Sequence, residues 1–246
     1  SFLYVETPTL HMHTIKVIVI DPVPGTPYSF ERVKTAIRER LHLLPPFSRR
    51  VMEVPFGLHH PVWVNDPNLD LDHHVRRAEV PAPGGSREID TVVSRIASVP
   101  LDRDRPLWEL WVLGGLPGGR TVIVGKIHHA VADGVAIAGL LVNVLTPAGD
   151  TLAPSARDAA WRPEPLPSRG QLLRDAMRDH LKQVRHLPGL TRESIRNLLA
   201  VARSRQRAAI RPPRPLLDAP STSLNGALSS QRSFASTALA LADVRR

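Results

Sequence analysis

Lys126-Ile127-His128-His129-Ala130-Val131-Ala132-Asp133-Gly134 is the stretch that decides the fold. It lies between an apolar alternating run, residues 120–127, and a helix-like run, residues 135–145. Strand, turn and helix in that order read as part of an α/β layered domain. The chain has four closely spaced histidine pairs: His11/His13, His59/His60, His73/His74 and His128/His129. Only the last has Asp-Gly four residues on and a strand-turn-helix setting. A neutral imidazole accepts a proton near pH 7, because its ordinary pKa is about 6.5. Held at the end of a buried strand, it is a candidate general base. On spacing alone, a core histidine followed by a helix-capping Asp explains the motif about equally well. A metal centre on His128, His129 and Asp133 is disfavoured, because adjacent residues of a strand point to opposite faces.

Working outward, residues 108–113 and 120–127 form two apolar runs joined by Gly-Gly-Leu-Pro-Gly-Gly, which predicts an antiparallel hairpin. Residues 11–20 read as a β-branched strand ended by Asp21-Pro22. Phe30, Val33, Ile37, Leu41 and Leu44 recur at helical spacing until Pro45-Pro46. Residues 51–64 suggest one or two short strands around Gly-Leu-His-His-Pro. Residues 70–80 suggest a strand or sheet edge carrying His73 and His74. A second amphipathic helix spans Ile89 to Ile96, with Ser86 as N-cap. Residues 135–145 predict a third, mostly buried helix. Two helices follow, one on Leu172, Leu173, Ala176, Met177, Leu181 and Val184, the other on Ile195, Leu198, Leu199 and Ala202. Pro188-Gly189 is expected to break between them. Residues 233–241 read as a final strand with no helix to cover it, as expected of a fragment whose other half is missing.

The 246 residues suffice for one large or two small domains, and 42% hydrophobic content can fill a core. The chain has no Cys, which removes disulfides, a thiolate nucleophile and thiolate metal ligands. That usage fits a reducing compartment. No apolar run approaches the roughly 18 residues of a membrane span, and Ser1 to Val5 show no signal-peptide pattern. Position 1 is not Met, so the natural start is expected upstream. The net charge of +9 is concentrated. Residues 169–214 hold 12 Lys/Arg against 3 Asp/Glu, and the remainder balances to zero. Such a segment fits a solvated crossover or an anionic lipid surface. Nucleic acid ranks far behind, given 4% aromatic residues and no nucleic-acid motif.

Several stretches occur together and in order. They are Phe2-Leu3-Tyr4-Val5-Glu6-Thr7-Pro8 with His11-Met12-His13, then Pro61-Val62-Trp63-Val64 with Asp70-Leu71-Asp72-His73-His74-Val75. Pro100-Leu101-Asp102-Arg103-Asp104-Arg105-Pro106-Leu107-Trp108-Glu109 follows, and then the HHxxxDG motif, His128 to Gly134. Thr222-Ser223-Leu224-Asn225-Gly226 and Arg232-Ser233-Phe234-Ala235 come last. Together they resemble the bacterial wax ester synthase/acyl-CoA:diacylglycerol acyltransferase family, of the chloramphenicol acetyltransferase-like superfamily. The resemblance covers nearly the whole chain. It implies an α/β fold in which a mixed sheet is flanked by helices and two similar halves enclose a tunnel. Residues 1–147 match the first half, 148–220 a linker and basic helical crossover, and 221–246 the opening of the second half. The family's second-half Asn-Asp motif would lie beyond Arg246.

By that resemblance the protein moves a fatty acyl group from acyl-CoA to diacylglycerol or a long-chain alcohol. His129 is the implied general base, and His128 packs or fixes the loop. Asp133 orients the turn, and Gly134 supplies backbone freedom. Pro106, Leu107 and Trp108 read as a packing element. The substrate-binding residues and oxyanion donors are not identified by sequence. No cofactor and no metal is expected, with acyl-CoA as a substrate. The implied partners are the missing second half, as part of the same protein or as a separate polypeptide, and an anionic membrane or lipid-droplet surface. The implied location is cytoplasmic or peripheral to the inner membrane face. Two alternatives stay open: a non-catalytic lipid-binding or scaffolding protein, and condensation-type transfer from a carrier protein. His59/His60 and His73/His74 read as surface or loop histidines.

Overall fold

The structure is a computed structural model and describes residues 2–22, 29–132, 165–207, 222 and 226–244. Residues 133–164 fall outside, and with them Asp133, Gly134, the helix expected at 135–145 and most of the linker. Two compact units are present. The first comprises Ser1–Met52, Trp63–Leu166 and Leu228–Arg246, and the second Glu53–Val62 and Pro167–Ala227.

The first unit is built on a four-stranded mixed sheet. The strands are β1 (His13–Ile20), β4 (Val75–Glu79), β5 (Trp108–Gly114) and β6 (Thr121–His128), in the order β1-β6-β5-β4. β1 and β5 both run antiparallel to β6, and β4 runs parallel to β5. The glycine-rich hairpin between β5 and β6 forms as its sequence predicts. Gly115 sits there at φ +80°, and a Cβ on it would meet the Val80 carbonyl oxygen at 2.7 Å. A side chain is excluded there by both backbone and space.

Alternation along the strands sorts the side chains onto two faces. One face carries Ile15, Val17, Val122, Val124, Trp111 and Leu113, and helix α4 (Ser86–Ser98) covers it through Val92, Val93 and Ile96. The other carries Ile127, Trp108, Leu110 and Val75, packed by Phe30 and Ile37 of α2 (Phe30–Arg40) and by Leu44 and Phe47. Ser29 caps α2 by accepting the Arg32 N–H at 3.2 Å. A short helix, α1 (Phe2–Val5), precedes β1, and β2 (Arg49–Met52) pairs with β3 (Val62–Asn65) in a separate two-stranded sheet.

Four local expectations are corrected. Residues 70–80 are not one extended segment, because Asp70 accepts the Asp72 N–H at 2.9 Å and starts a helical turn, α3 (Leu71–His74), before β4. The N-cap of α4 is Gly85, one residue before Ser86, and the Glu88 side chain reaches back to its N–H at 2.9 Å. Pro188-Gly189 does not divide the basic segment. One helix, α5 (Arg169–Arg207), runs through it. A mid-helix proline costs about 3 kcal/mol, chiefly one lost donor and one clash. Finally, residues 233–241 join no sheet. They run extended beside α4 and end in α6 (Leu241–Val244). The Phe234 and Ser236 N–H groups donate to α4 side chains instead of to a neighbouring strand.

Candidate active site

The end of β6 is held from both sides. The His128 N–H donates to the Leu107 carbonyl at 3.0 Å, and the His129 N–H donates to the Met12 carbonyl at 2.8 Å. Consecutive residues thus extend the ladder toward β5 and β1 in turn, and their side chains leave the strand in opposite directions. Leu107 is fully buried, so the carbonyl that anchors His128 is itself rigidly packed. Trp108 fixes the same corner. Its indole N–H donates to the Phe47 carbonyl at 2.7 Å, and its ring stacks on His74 at 4.5 Å. Pro106, Leu107 and Trp108 are therefore in contact with the core and, through one carbonyl, with the histidine pair.

His128 is fully buried. Its Nδ1 accepts the Ala130 N–H at 2.9 Å, so the ring proton sits on Nε2, 3.4 Å from Glu6 Oε2. That approach is within ion-pair range but too poorly aimed for a hydrogen bond, and among the described residues Nε2 has no other partner. Burial lowers the His128 pKa, and Glu6 works against the shift. The ring is neutral and enclosed. His129 differs. Its ring is half-buried and lies against Phe2, with centroids 5.1 Å apart.

The sequence reading passed over Glu6 as a functional group. It also accepts the Met12 N–H at 3.2 Å and the Arg103 Nε–H at 3.2 Å. One carboxylate thus joins the segment before β1, the stretch before β5 and the first histidine of the motif. Glu6 and Arg103 lie 97 residues apart, so no local spacing reveals the pair. Their presence in two of the quoted family stretches was the available signal.

Further polar groups lie on the face toward α4. Lys126 is fully buried, with Nζ 3.4 Å from Glu109 Oε2. Glu109 also accepts from the Trp111 indole at 3.0 Å and lies 3.7 Å from Arg76. Burial lowers the Lys126 pKa, and Glu109 opposes that. His13, opposite His128 in register, donates from Nε2 to the Ala97 carbonyl at 3.0 Å. Burial first and then the Lys126 charge lower its pKa to about 4.

The remaining histidines divide. His74, read from sequence as a surface or loop residue, is buried and donates from Nδ1 to the Trp108 carbonyl at 2.8 Å. The helical turn of α3 rotates it inward beneath Trp108. His73 is half-buried, and His59 and His60 lie in the second unit. Among the described residues no group of three or more His, Cys, Asp or Glu could hold a metal ion. A shallow cavity of about 250 Å³ is lined by Phe30, Arg77, Glu79, Val112 and Thr121. Thr121 begins β6 and His128 ends it, so this cavity is not at the histidine pair.

The mixed α/β unit thus presents one buried and one half-buried histidine at the end of β6. The chain matches the family model for the wax ester synthase/diacylglycerol acyltransferase catalytic domain over residues 1–246, and it belongs to that family. A putative diacylglycerol O-acyltransferase of Mycobacterium tuberculosis is 39% identical over 244 residues, covering 99% of this chain and 51% of the relative. A probable diacylglycerol O-acyltransferase of the same organism, tgs3, is 29% identical over 254 residues, covering 100% of this chain and 91% of the relative. The chain thus spans about half the length of the first relatives it matches. Among solved structures, a wax ester synthase/diacylglycerol acyltransferase from Marinobacter aquaeolei VT8 is 33% identical with TM-score 0.48, over 56% of this chain and 34% of that one. The first condensation domain of the CDA synthetase is 20% identical with TM-score 0.43, over 55% and 33%.

His13 gives a direct check on these environments. Its folded pKa of about 4 lies below the ordinary 6.5, so between the two values the unfolded chain binds the extra proton. Its contribution to stability is complete above pH 6.5 and is lost as pH falls through 4. The His13 ring is expected to titrate near pH 4 by NMR, and His13→Gln to flatten the fall in urea midpoint between pH 6.5 and 4. Titration of that ring near its ordinary value would contradict the buried environment.

Proposed function

We propose that the protein is an acyl-CoA-dependent O-acyltransferase that esterifies diacylglycerol or a long-chain alcohol, with His129 as general base. The observation that carries this is the division of labour at the end of β6. His128 is buried and its Nδ1 accepts the Ala130 N–H, whereas the adjacent His129 ring is half-buried beside Phe2. Family membership supports the reaction class.

The chemistry is a single displacement. The acceptor hydroxyl gives its proton to His129 as its oxygen attacks the thioester carbonyl. The tetrahedral intermediate collapses, the carbon–sulfur bond breaks, and the imidazolium returns its proton to the departing CoA sulfur. No covalent acyl-enzyme is needed, and the sequence has no cysteine to form one. Acyl-CoA enters as a substrate, and the scheme uses no further cofactor. Asp133 and Gly134 are proposed to set the turn beyond His129, as their place in the motif implies. The chain spans about half of such relatives, and the segment beyond it is proposed to enclose the substrates at His129.

We also propose that α5 rests on an anionic lipid surface, which would make the protein peripheral to a membrane or lipid droplet. Met177, Leu181, Val184, Ile195 and Leu198 are all more than half exposed. Arg174, Arg178, Lys182, Arg185, Arg192 and Arg196 lie along the same helix. No described helix is long and apolar enough to cross a membrane.

In the full-length protein, His129→Ala should lower ester formation by at least about 100-fold, the lower end of what a general base contributes. Ester formation near the wild-type rate would reject the assignment. For α5, replacing Arg174, Arg178, Lys182 and Arg185 by Gln should weaken binding to phosphatidylglycerol vesicles and reduce its salt dependence. Unchanged, salt-insensitive binding would reject the lipid surface.

A further inference from the structure

The Arg232-Ser233-Phe234-Ala235 stretch has no part in the chemistry above, yet it is tied closely to the first unit. Residues 232–236 run antiparallel along α4. The Arg232 N–H donates to Ser98 Oγ at 2.8 Å, the Phe234 N–H to Ser94 Oγ at 2.8 Å, and the Ser236 N–H to Asp90 Oδ2 at 3.0 Å. The Ser236 hydroxyl adds a bond to Asp90 Oδ1 at 2.7 Å. The acceptors are spaced by four along one helix face, and the donors by two along an extended chain. Four helical residues rise about 6.0 Å and two extended ones about 6.6 Å, so the repeats stay in step over three contacts.

Ser94 and Ser98 give their own hydroxyl protons to the carbonyls of Asp90 and Ser94, at 2.7 and 2.8 Å. Their oxygens are thereby left to accept from the strap. The Phe234 ring packs on the apolar cluster under α4.

At the C-terminal end of α4 the strap makes a second connection. Arg232 Nη2 donates to the Thr9 carbonyl at 2.8 Å, and Nη1 donates to the Ser229 and Gln231 carbonyls at 2.5 and 3.1 Å. Thr9 lies in the turn closed by the two 3.1 Å backbone bonds between Thr7 and Leu10. The same end of α4 holds the following residues as well. The Ala97 carbonyl accepts from His13 at 3.0 Å and lies 3.4 Å from His11 Nδ1. Between those two histidines is Met12, whose carbonyl carries the His129 N–H.

We propose that Arg232 is a positioning residue for His129. It staples the segment of residues 7–13 to the end of α4 and so fixes the Met12 carbonyl from which His129 hangs. The chain segment that returns after the basic helix thereby becomes part of the site's support. Its functional meaning rests on the reading of His129 as the base. The guanidinium is suited to this because its rigid planar fork sends Nη2 to the Thr9 carbonyl while Nη1 holds the Ser229 and Gln231 carbonyls, a spread that the single nitrogen of an ammonium does not span.

The test uses the full-length protein with Arg232→Ala and Arg232→Lys, followed by hydrogen exchange and steady-state kinetics. Arg232 is only partly buried, so the alanine variant is expected to fold. Losing charged-donor bonds should speed exchange in residues 7–13 and 128–132 by about 10-fold or more, with β5 unchanged. The kcat should fall by about 10-fold while KM for acyl-CoA stays within about 2-fold, as expected of a misplaced base rather than lost substrate binding. Arg232→Lys should recover part of both effects. Three results overturn the proposal: wild-type exchange in residues 7–13, faster exchange with unchanged kcat, or a rise spread equally over β5. The exchange result does not depend on the chemical role of His129, so failure of the base assignment in His129→Ala is distinguishable from failure of the staple.

Discussion

Two consecutive backbone hydrogen bonds, His128 to Leu107 and His129 to Met12, are the constraint on which the site depends. Each carries only about 1 kcal/mol net. Their effect is geometric. They pin the last residue of β6 and the first beyond it to opposite neighbours, so one imidazole is driven into the core and the other is kept from it. The packing around them serves that purpose. Leu107 is buried so that its carbonyl cannot shift, Trp108 is bonded to Phe47, and His74 lies flat beneath the indole.

The buried polar groups on the α4 face keep this end of the sheet in one register. A Lys126–Glu109 pair inside a sheet is not a large source of stability, because desolvation offsets most of the attraction. A one-residue slip of β6 would move Lys126 to the opposite, apolar face and leave Glu109 without it, at about 3–5 kcal/mol for the broken pair. That penalty makes the wrong register costly, and with it the wrong placement of His128 and His129. Lys126 has a second effect, since its charge adds to burial in holding His13 neutral. His13 and His128 on this face are uncharged structural groups at neutral pH, whereas the His129 ring leaves the strand on the other side and is half-buried.

Much of this was legible in the sequence. Alternation gave β1, β5 and β6, the glycine-rich loop marked their hairpin, and helical spacing marked α2 and α4. The HHxxxDG motif located the strand end, and its accompanying stretches identified the family. What escaped was whatever depends on contacts between distant segments. Glu6 meets Arg103 and His128 across about a hundred residues, and its role is visible only after folding. His74 became buried because Asp70 begins a helical turn that periodicity did not reveal. Pro188-Gly189 lies inside α5 although the dipeptide is a strong break signal, and nothing in the local sequence explains the continuity. Residues 233–241 have strand-like alternation yet pair with helix side chains, a partner that no strand signal anticipates.

The most direct measurement is residue-resolved modification by diethyl pyrocarbonate in the full-length protein at pH 7, read by mass spectrometry with and without acyl-CoA. His129 is expected to react readily and to be protected by acyl-CoA, while His128 stays inert unless the protein is unfolded. Equal reaction at both rings, or ready reaction at His128 with His129 silent, would contradict the separation of one enclosed and one accessible imidazole.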